Sequence, residues 1–294
     1  MKQPVFTGSG VAIITPFTSD TVDYPALKRL IDFQLENGTD AVIVCGTTGE
    51  AATMSYAERM RTVETAVRHV DGRVPVIAGS GANSTENAVT LSKDAAMAGV
   101  DGLLVVTPFY NKATQRGLVR HYTAVADAVE KPLILYNVPS RTGVKCAAET
   151  YAVLAKHPNI VGVKEASGDL CLVQKTRELC SEDFYIWSGN DDETAPIMLL
   201  GGKGVISVAA NIAPREMHDL ASACLNGGFA AAGQMQLHLR KLCEALFREV
   251  NPIPVKTALS LMGYCQEIFR LPLCGMEPES REELKAVLKE YGLL

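Results

Sequence analysis

The chain has 294 residues, and 28 Lys and Arg against 33 Asp and Glu give a formal net charge of −5. With 47% hydrophobic and 21% charged residues and no dense Lys/Arg run, it is a globular composition that excludes a disordered chain, a coiled coil and a nucleic-acid surface. The N-terminus MKQPVFTGSG lacks an apolar signal core, and no apolar run approaches the ~20 residues that span a bilayer, so no membrane attachment and a cytoplasmic protein are expected.

Short β-rich runs alternate with helical ones in a single rhythm. The first strand is predicted at Val11–Phe17, followed by a helix over Tyr24–Asn37. Next come a strand at Ala41–Gly46, a helix at Tyr56–Val70, a strand at Val74–Gly79 and a helix at Glu86–Ala98. Gly102–Thr107, Leu118–Val129 and Pro132–Asn137 continue the alternation. The last three strands are predicted at Ile160–Lys164, Phe184–Ser188 and Gly204–Val208, with Gly38, Gly72, Gly99 and Gly201 punctuating helix ends. Eight βα units most simply close into a (β/α)8 TIM barrel, with a doubly wound open sheet as the alternative. The helix Pro214–Leu225 and the break Asn226-Gly227-Gly228 then end a barrel domain at residues 1–226. Residues 227–294 form about three helices, a C-terminal helical subdomain.

Eight cysteines are scattered without a CxxC pair and read as buried free thiols. The five histidines show no HxH or HExxH spacing, so no metal is expected. What stands out is Lys164, an amine closing the apolar run Ile160–Val163. Desolvation at such a place disfavours the ammonium form and favours a neutral nucleophile suited to a carbonyl, although a strand-end lysine can also stretch its head into water.

A barrel gathers its chemistry at the carboxyl ends of its strands. Strand 2 ends in Gly46-Thr47-Thr48-Gly49-Glu50, strand 4 in Thr107-Pro108-Phe109-Tyr110-Asn111, and strand 5 in Tyr136-Asn137-Val138-Pro139-Ser140-Arg141. One rim therefore collects the Lys164 amine, the Thr47, Thr48, Tyr110 and Tyr136 hydroxyls and the Arg141 guanidinium. Each has a plainer reading: Thr47 and Thr48 could cap the next helix, Tyr136 could be core, Tyr110 loop packing and Arg141 a solvated charge. Gly79-Ser80-Gly81 lacks the remaining features of a phosphate loop.

Six segments carry a resemblance: GTTGE at 46–50, YNVPSRTG at 136–143, GVKEASGDL at 162–170, SGND at 188–191, GVISVAAN at 204–211 and NPIPVK at 251–256. In order and spacing, from about Gly8 to the C-terminus, the chain resembles the bacterial dihydrodipicolinate (4-hydroxy-tetrahydrodipicolinate) synthase family. The resemblance implies a metal-free, cofactor-free class I lyase of lysine and diaminopimelate biosynthesis, which condenses pyruvate with L-aspartate 4-semialdehyde. It implies Lys164 as the Schiff-base lysine, Tyr136 as the proton donor and acceptor beside it, and Thr47 as the link to Tyr110 from a neighbouring subunit. Thr48 matches a pyruvate-carboxylate contact, Arg141 the arginine for the aldehyde's carboxylate, Gly189 a glycine lining the site and Ile206 a backbone carbonyl facing the lysine. A homo-oligomer follows, a dimer at least and commonly a dimer of dimers. The alternatives are a related pyruvate-dependent lyase such as N-acetylneuraminate lyase or a 2-keto-3-deoxy acid aldolase, which usually lack an arginine at 141, and a sugar-acid-binding barrel without turnover.

The chain departs from lysine-inhibited members of that family. Their interface ligands Ser, two His, Asn, Glu and Tyr fall where this chain has Ala51, Tyr56, Arg59, Asn83, Asn87 and Phe109. Only the asparagine is kept and Arg59 adds positive charge, so weak or absent inhibition by L-lysine is expected.

Overall fold

The computed structural model describes residues 1–294 and contains eight parallel strands in sequence order, closed into a barrel. The strands are β1 (Gly8–Ala12), β2 (Ala41–Val44), β3 (Val76–Gly79) and β4 (Gly102–Val106), then β5 (Leu133–Asn137), β6 (Ile160–Glu165), β7 (Tyr185–Ser188) and β8 (Gly204–Ser207). The surrounding helices are α1 (Tyr24–Glu36), α2 (Tyr56–Val70), α3 (Thr85–Met97), α4 (Gln115–Asp127), the short α5 (Pro139–Thr142) and α6 (Ala148–Leu154). They continue with α7 (Leu170–Leu179), α8 (Thr194–Leu199) and α9 (Pro214–Leu225). The chain ends in α10 (Phe229–Leu246), α11 (Ile253–Leu261) and α12 (Pro278–Glu290).

Local chemistry starts the helices: α1 and α2 begin at Tyr24 and Tyr56 as expected, α3 begins one residue before the expected Glu86 and α4 three residues before the expected Leu118. Asp23, Ser84, Thr114 and Asp169 each accept a backbone N–H of the first turn, and Ser55 with Glu58 forms a reciprocal capping box on α2. Closure excludes the open sheet: β8 pairs with β1, Gly8 opposite Gly204 and Gly10 opposite Ile206. A Cβ at Gly204 would lie 1.9 Å from the Gly8 carbonyl oxygen, so that seam requires glycine.

The first strand lies earlier than its hydrophobicity suggests, at Gly8–Ala12 and not Val11–Phe17. Gly8, Ser9 and Gly10 have little intrinsic strand preference, and the ladders to β2 and β8 recruit them. Ile13–Phe17 is buried but leaves the ladder, and the Ile14 N–H donates to Asn211 Oδ1 at 3.0 Å. Of the eight cysteines only Cys45, Cys146, Cys224 and Cys243 are buried, while Cys171 and Cys274 are exposed.

Two apolar layers follow from strand alternation. Inside the barrel Phe6, Ile43, Ile77, Leu104, Ile134, Trp187 and Ile206 fill the lumen, with Phe6 stacked on Trp187 at 5.4 Å to plug the amino-terminal end. The outer layer, between strands and helices, runs on into the C-terminal segment through Leu239, Leu242, Leu246, Val255, Leu284 and Leu288. No helix is long and apolar enough to cross a membrane.

Candidate active site

Lys164 is buried, with 5% of its surface exposed, so the plainer picture of an amine stretched into water does not hold. Its neighbour is set by a slip in the β5–β6 ladder: Leu133 faces Ile160 but Ile134 faces Gly162, which brings Tyr136 level with Lys164. Both side chains turn into the lumen, and Lys164 Nζ lies 4.5 Å from the centre of the Tyr136 ring. The amine forms neither an ion pair nor a hydrogen bond to a protein group. Glu165, one residue on, points the opposite way, where Asn137 Nδ2 (2.9 Å), Tyr151 Oη (2.9 Å) and the Ser167 N–H (2.9 Å) donate to it. Burial raises the Glu165 carboxyl above the usual carboxylate range, and alternation keeps it away from the lysine.

Gly189, at the end of β7, is pressed against this lysine. A Cβ there would come within 3.1 Å of Lys164 Cε and 2.6 Å of Ala166 Cβ, so any side chain at 189 would displace the amine. Ile206 is fully buried in the lumen. Beyond it the Val208 and Ala209 N–H groups donate to Asp191 Oδ2 at 3.1 and 2.8 Å, which ties the end of β8 to the loop after Gly189.

Above Tyr136 opens a cavity of about 430 Å³ whose walls include Thr47, Tyr136, Val138, Arg141, Phe109 and Asn251. Asn251 joins its two sides. Its Nδ2 donates to Thr48 Oγ1 at 3.1 Å, and its carbonyl accepts Arg141 Nη2 at 3.1 Å. Thr48 is buried beneath the rim while Arg141 is exposed at it. On the β5 side, Thr107 Oγ1 donates to the Tyr136 carbonyl at 3.0 Å and is backed by the buried Tyr122 hydroxyl at 3.1 Å.

Tyr110 does not join this group within the chain: it is 86% exposed, and its φ of 76° is a conformation that bulky residues rarely adopt. Nor are the Tyr136, Thr47 and Tyr110 hydroxyls hydrogen-bonded to one another within one chain. Phe109, not Tyr110, lines the cavity.

Sequence reading assigned no role to Asn251, Glu50 or Lys256, although each lies in a segment it singled out. Lys256 on α11 is fully buried and ion-paired with Glu50, its Nζ donating to the Ile268 carbonyl at 3.0 Å and lying 4.1 Å from the Phe17 ring centre. Arg270 covers the other approach to Phe17 at 4.3 Å and grips Glu58 through Nη1 at 2.7 Å. Glu50 has a left-handed φ of 52° at the end of the Thr47–Thr48 turn. The C-terminal helices thereby clamp the rim segment that carries both threonines.

Fold and site together define a (β/α)8-barrel enzyme with a buried amine at the carboxyl-terminal ends of its strands. The chain belongs to the dihydrodipicolinate synthetase family, whose sequence model matches residues 5–291. It is 53% identical over 293 residues to the 4-hydroxy-tetrahydrodipicolinate synthase of Thermoanaerobacter sp. (strain X514), covering 99% of each chain. The enzyme of that name from Geobacter sulfurreducens is 52% identical over 290 residues, covering 99% of this chain and all of the relative. Among solved structures, the dihydrodipicolinate synthase of Thermotoga maritima superposes with a TM-score of 0.97 at 45% identity, covering 99% of this chain and 100% of that one. The chloride-inhibited synthase of Acinetobacter baumannii, solved in complex with pyruvate, superposes at 0.96 with 43% identity, covering 98% and 99%.

Proposed function

We propose that this chain condenses pyruvate with L-aspartate 4-semialdehyde to give 4-hydroxy-tetrahydrodipicolinate, with Lys164 as the covalent nucleophile. The observation that carries the reading is the unpaired, buried Lys164 amine stacked on Tyr136 and backed by Gly189. The amine makes no ion pair and no hydrogen bond within the chain, and an amine standing unengaged beside a ketone is the nucleophile that Schiff-base formation requires.

Lys164 Nζ adds to the pyruvate ketone, and loss of water leaves an iminium whose positive nitrogen acidifies the adjacent methyl group. Removal of a methyl proton gives the enamine, which forms the new carbon–carbon bond at the aldehyde carbon. Tyr136 hands over the protons, with Thr47 and Tyr110 of a second subunit as the route outward. The substrate's own amine then attacks the iminium carbon, closes the ring and releases Lys164. The Thr48 hydroxyl, oriented by Asn251, meets the pyruvate carboxylate; Arg141, held by the Asn251 carbonyl, meets the carboxylate of the aldehyde. Gly189 leaves room for the lysine, and the Ile206 carbonyl faces it.

The exposed, left-handed Tyr110 supports a homo-oligomer, a dimer at least; a tetramer by pairing of dimers and a cytoplasmic setting belong to the same reading. Residues 227–294 act in this reading as a subdomain that clamps the rim of a barrel spanning 1–226. The test is pyruvate with borohydride followed by peptide mass mapping. The adduct is expected on Lys164 alone, and an adduct persisting in Lys164→Ala refutes the assignment. Rapid cleavage of N-acetylneuraminate by the wild-type enzyme would instead favour a sugar-acid lyase.

A further inference from the structure

Between α1 and α2, on the outside of the barrel, lies a groove of about 300 Å³ lined by Tyr24, Lys28, Arg61, Thr65, Arg68 and His69. The two helices run side by side in register: Arg61 lies over Tyr24 at one end, and at the other His69 Nε2 meets Asp32 Oδ1 at 2.8 Å. Residues four apart share a face of each helix, so Lys28 stands on one wall, Arg61 and Arg68 on the other, and the buried Thr65 between them. No carboxylate lines this groove, although the chain as a whole has a net charge of −5.

The carboxylates nearby are otherwise engaged. Asp32 is held by His69, Asp23 accepts the Ala26 N–H at 2.9 Å, and Glu58 is gripped by Arg270. Glu64 takes Arg68 Nη2 at 3.4 Å, a weak pair because both side chains are exposed. Lys28 and Arg61 are left over: neither side chain forms an ion pair or a hydrogen bond within the chain. Arg68 and His69 lie in the last turn of α2, where cations offset the exposed carbonyls of a helix end. That reason does not reach Lys28 and Arg61, which stand in the second turns of α1 and α2. Arg61 is nonetheless fixed in place, its Cζ 4.3 Å from the centre of the Tyr24 ring, and this stack leaves the N–H edges of the guanidinium unengaged.

We propose that this groove binds a phosphate-type oxyanion, either inorganic phosphate or the phosphoryl end of a small metabolite. One edge of the Arg61 guanidinium supplies two parallel N–H···O bonds, and Lys28 supplies a point charge from the opposite wall. Arg68 exchanges its weak pair with Glu64 for a ligand of higher charge. The groove shares no lining residue with the cavity above Tyr136, so the proposal does not depend on which reaction Lys164 carries.

The test uses the full-length protein with inorganic phosphate and glycerol 3-phosphate as probes, followed by phosphorus NMR at constant ionic strength. Broadening of the phosphorus resonance should follow a saturable, single-site titration and weaken as sodium chloride is raised. Arg61→Gln should lower the apparent affinity at least tenfold, and the double variant Arg61→Gln with Lys28→Gln should abolish saturable binding. Turnover of both variants without phosphate should stay at the wild-type level, which shows that they fold. Arg141→Gln should bind phosphate as wild type does, which separates the groove from the carboxylate site of the cavity. Equal or weaker binding of glycerol 3-phosphate supports a site for the free anion, and tighter binding supports a phosphorylated metabolite. The proposal is overturned if the broadening does not saturate, if wild type and Arg61→Gln bind alike, if the double variant keeps the site, or if Arg141→Gln removes it.

Discussion

The chain buries two lysines, and their surroundings are opposite. Lys256 has an ion partner in Glu50, a carbonyl in Ile268 and two aromatic faces in Phe17 and Phe269. Lys164 has one aromatic face, Tyr136, and no ion pair, the buried Asp191 acting on it only through space. Burial pulls the Lys256 pKa down and Glu50 pushes it back, so proton and carboxylate are held as a structural rivet. The contrast teaches that burial alone does not make a lysine reactive. A buried amine becomes a nucleophile where a carbonyl can reach it and no carboxylate holds its proton.

The comparison is most sharply broken at the lysines themselves. Lys164→Ala should lower turnover by at least about a thousandfold and abolish borohydride trapping of pyruvate, because no other group can form the covalent intermediate. Lys256→Met should still trap pyruvate on Lys164; trapping at Lys256 in the wild-type chain would erase the distinction between the two. The rivet is tested by stability. Glu50→Gln leaves the Lys256 ammonium buried without its anion and should cost about 3–5 kcal/mol in denaturant unfolding, whereas the paired change Glu50→Gln with Lys256→Met should cost less than the single one. Equal losses would mean that the ion pair does not couple the two residues.

A smaller effect is expected at Arg141. Its replacement by Ala removes a charge-assisted contact of about 1.5–3 kcal/mol, so kcat/KM for the semialdehyde should fall at least tenfold while adduct formation on Lys164 persists. Loss of the adduct would place Arg141 on the pyruvate side. The smallest effect lies at the edge of the rivet. Arg270 holds the Glu58 carboxyl down to about 2 from its ordinary 4.5. A carboxylate depressed in the folded state contributes stability that is complete above about 4.5 and is lost as pH falls toward 2. Denaturation midpoints at the two ends of that window should drop more for wild type than for Glu58→Gln, and parallel drops would remove Glu58 from the acid response.

Much of this was legible in the residues. Alternating β-rich and helical runs and glycine stops carry the barrel, because both periodicities and the stops are local properties of the chain. Lys164 at the end of an apolar run and the hydroxyls after strands 2, 4 and 5 also mark the rim, since a barrel collects strand ends whatever its sequence. The first strand was displaced because Gly8–Gly10 pairs only when β8 returns to meet it. Alternation along β6 fixes that Lys164 and Glu165 face opposite ways. Which of them meets Tyr136 depends on the slip after Leu133, and nothing local in Ile160–Glu165 announces it. Asn251 meets Thr48 across 203 positions and Lys256 meets Glu50 across 206. The amino-acid order thus determined which strand carries the amine and which loops carry its helpers. Only the closed barrel decided that one lysine is left without an ion pair and the other is given one, because a charge's partner is chosen by packing between distant segments and not by neighbours in sequence.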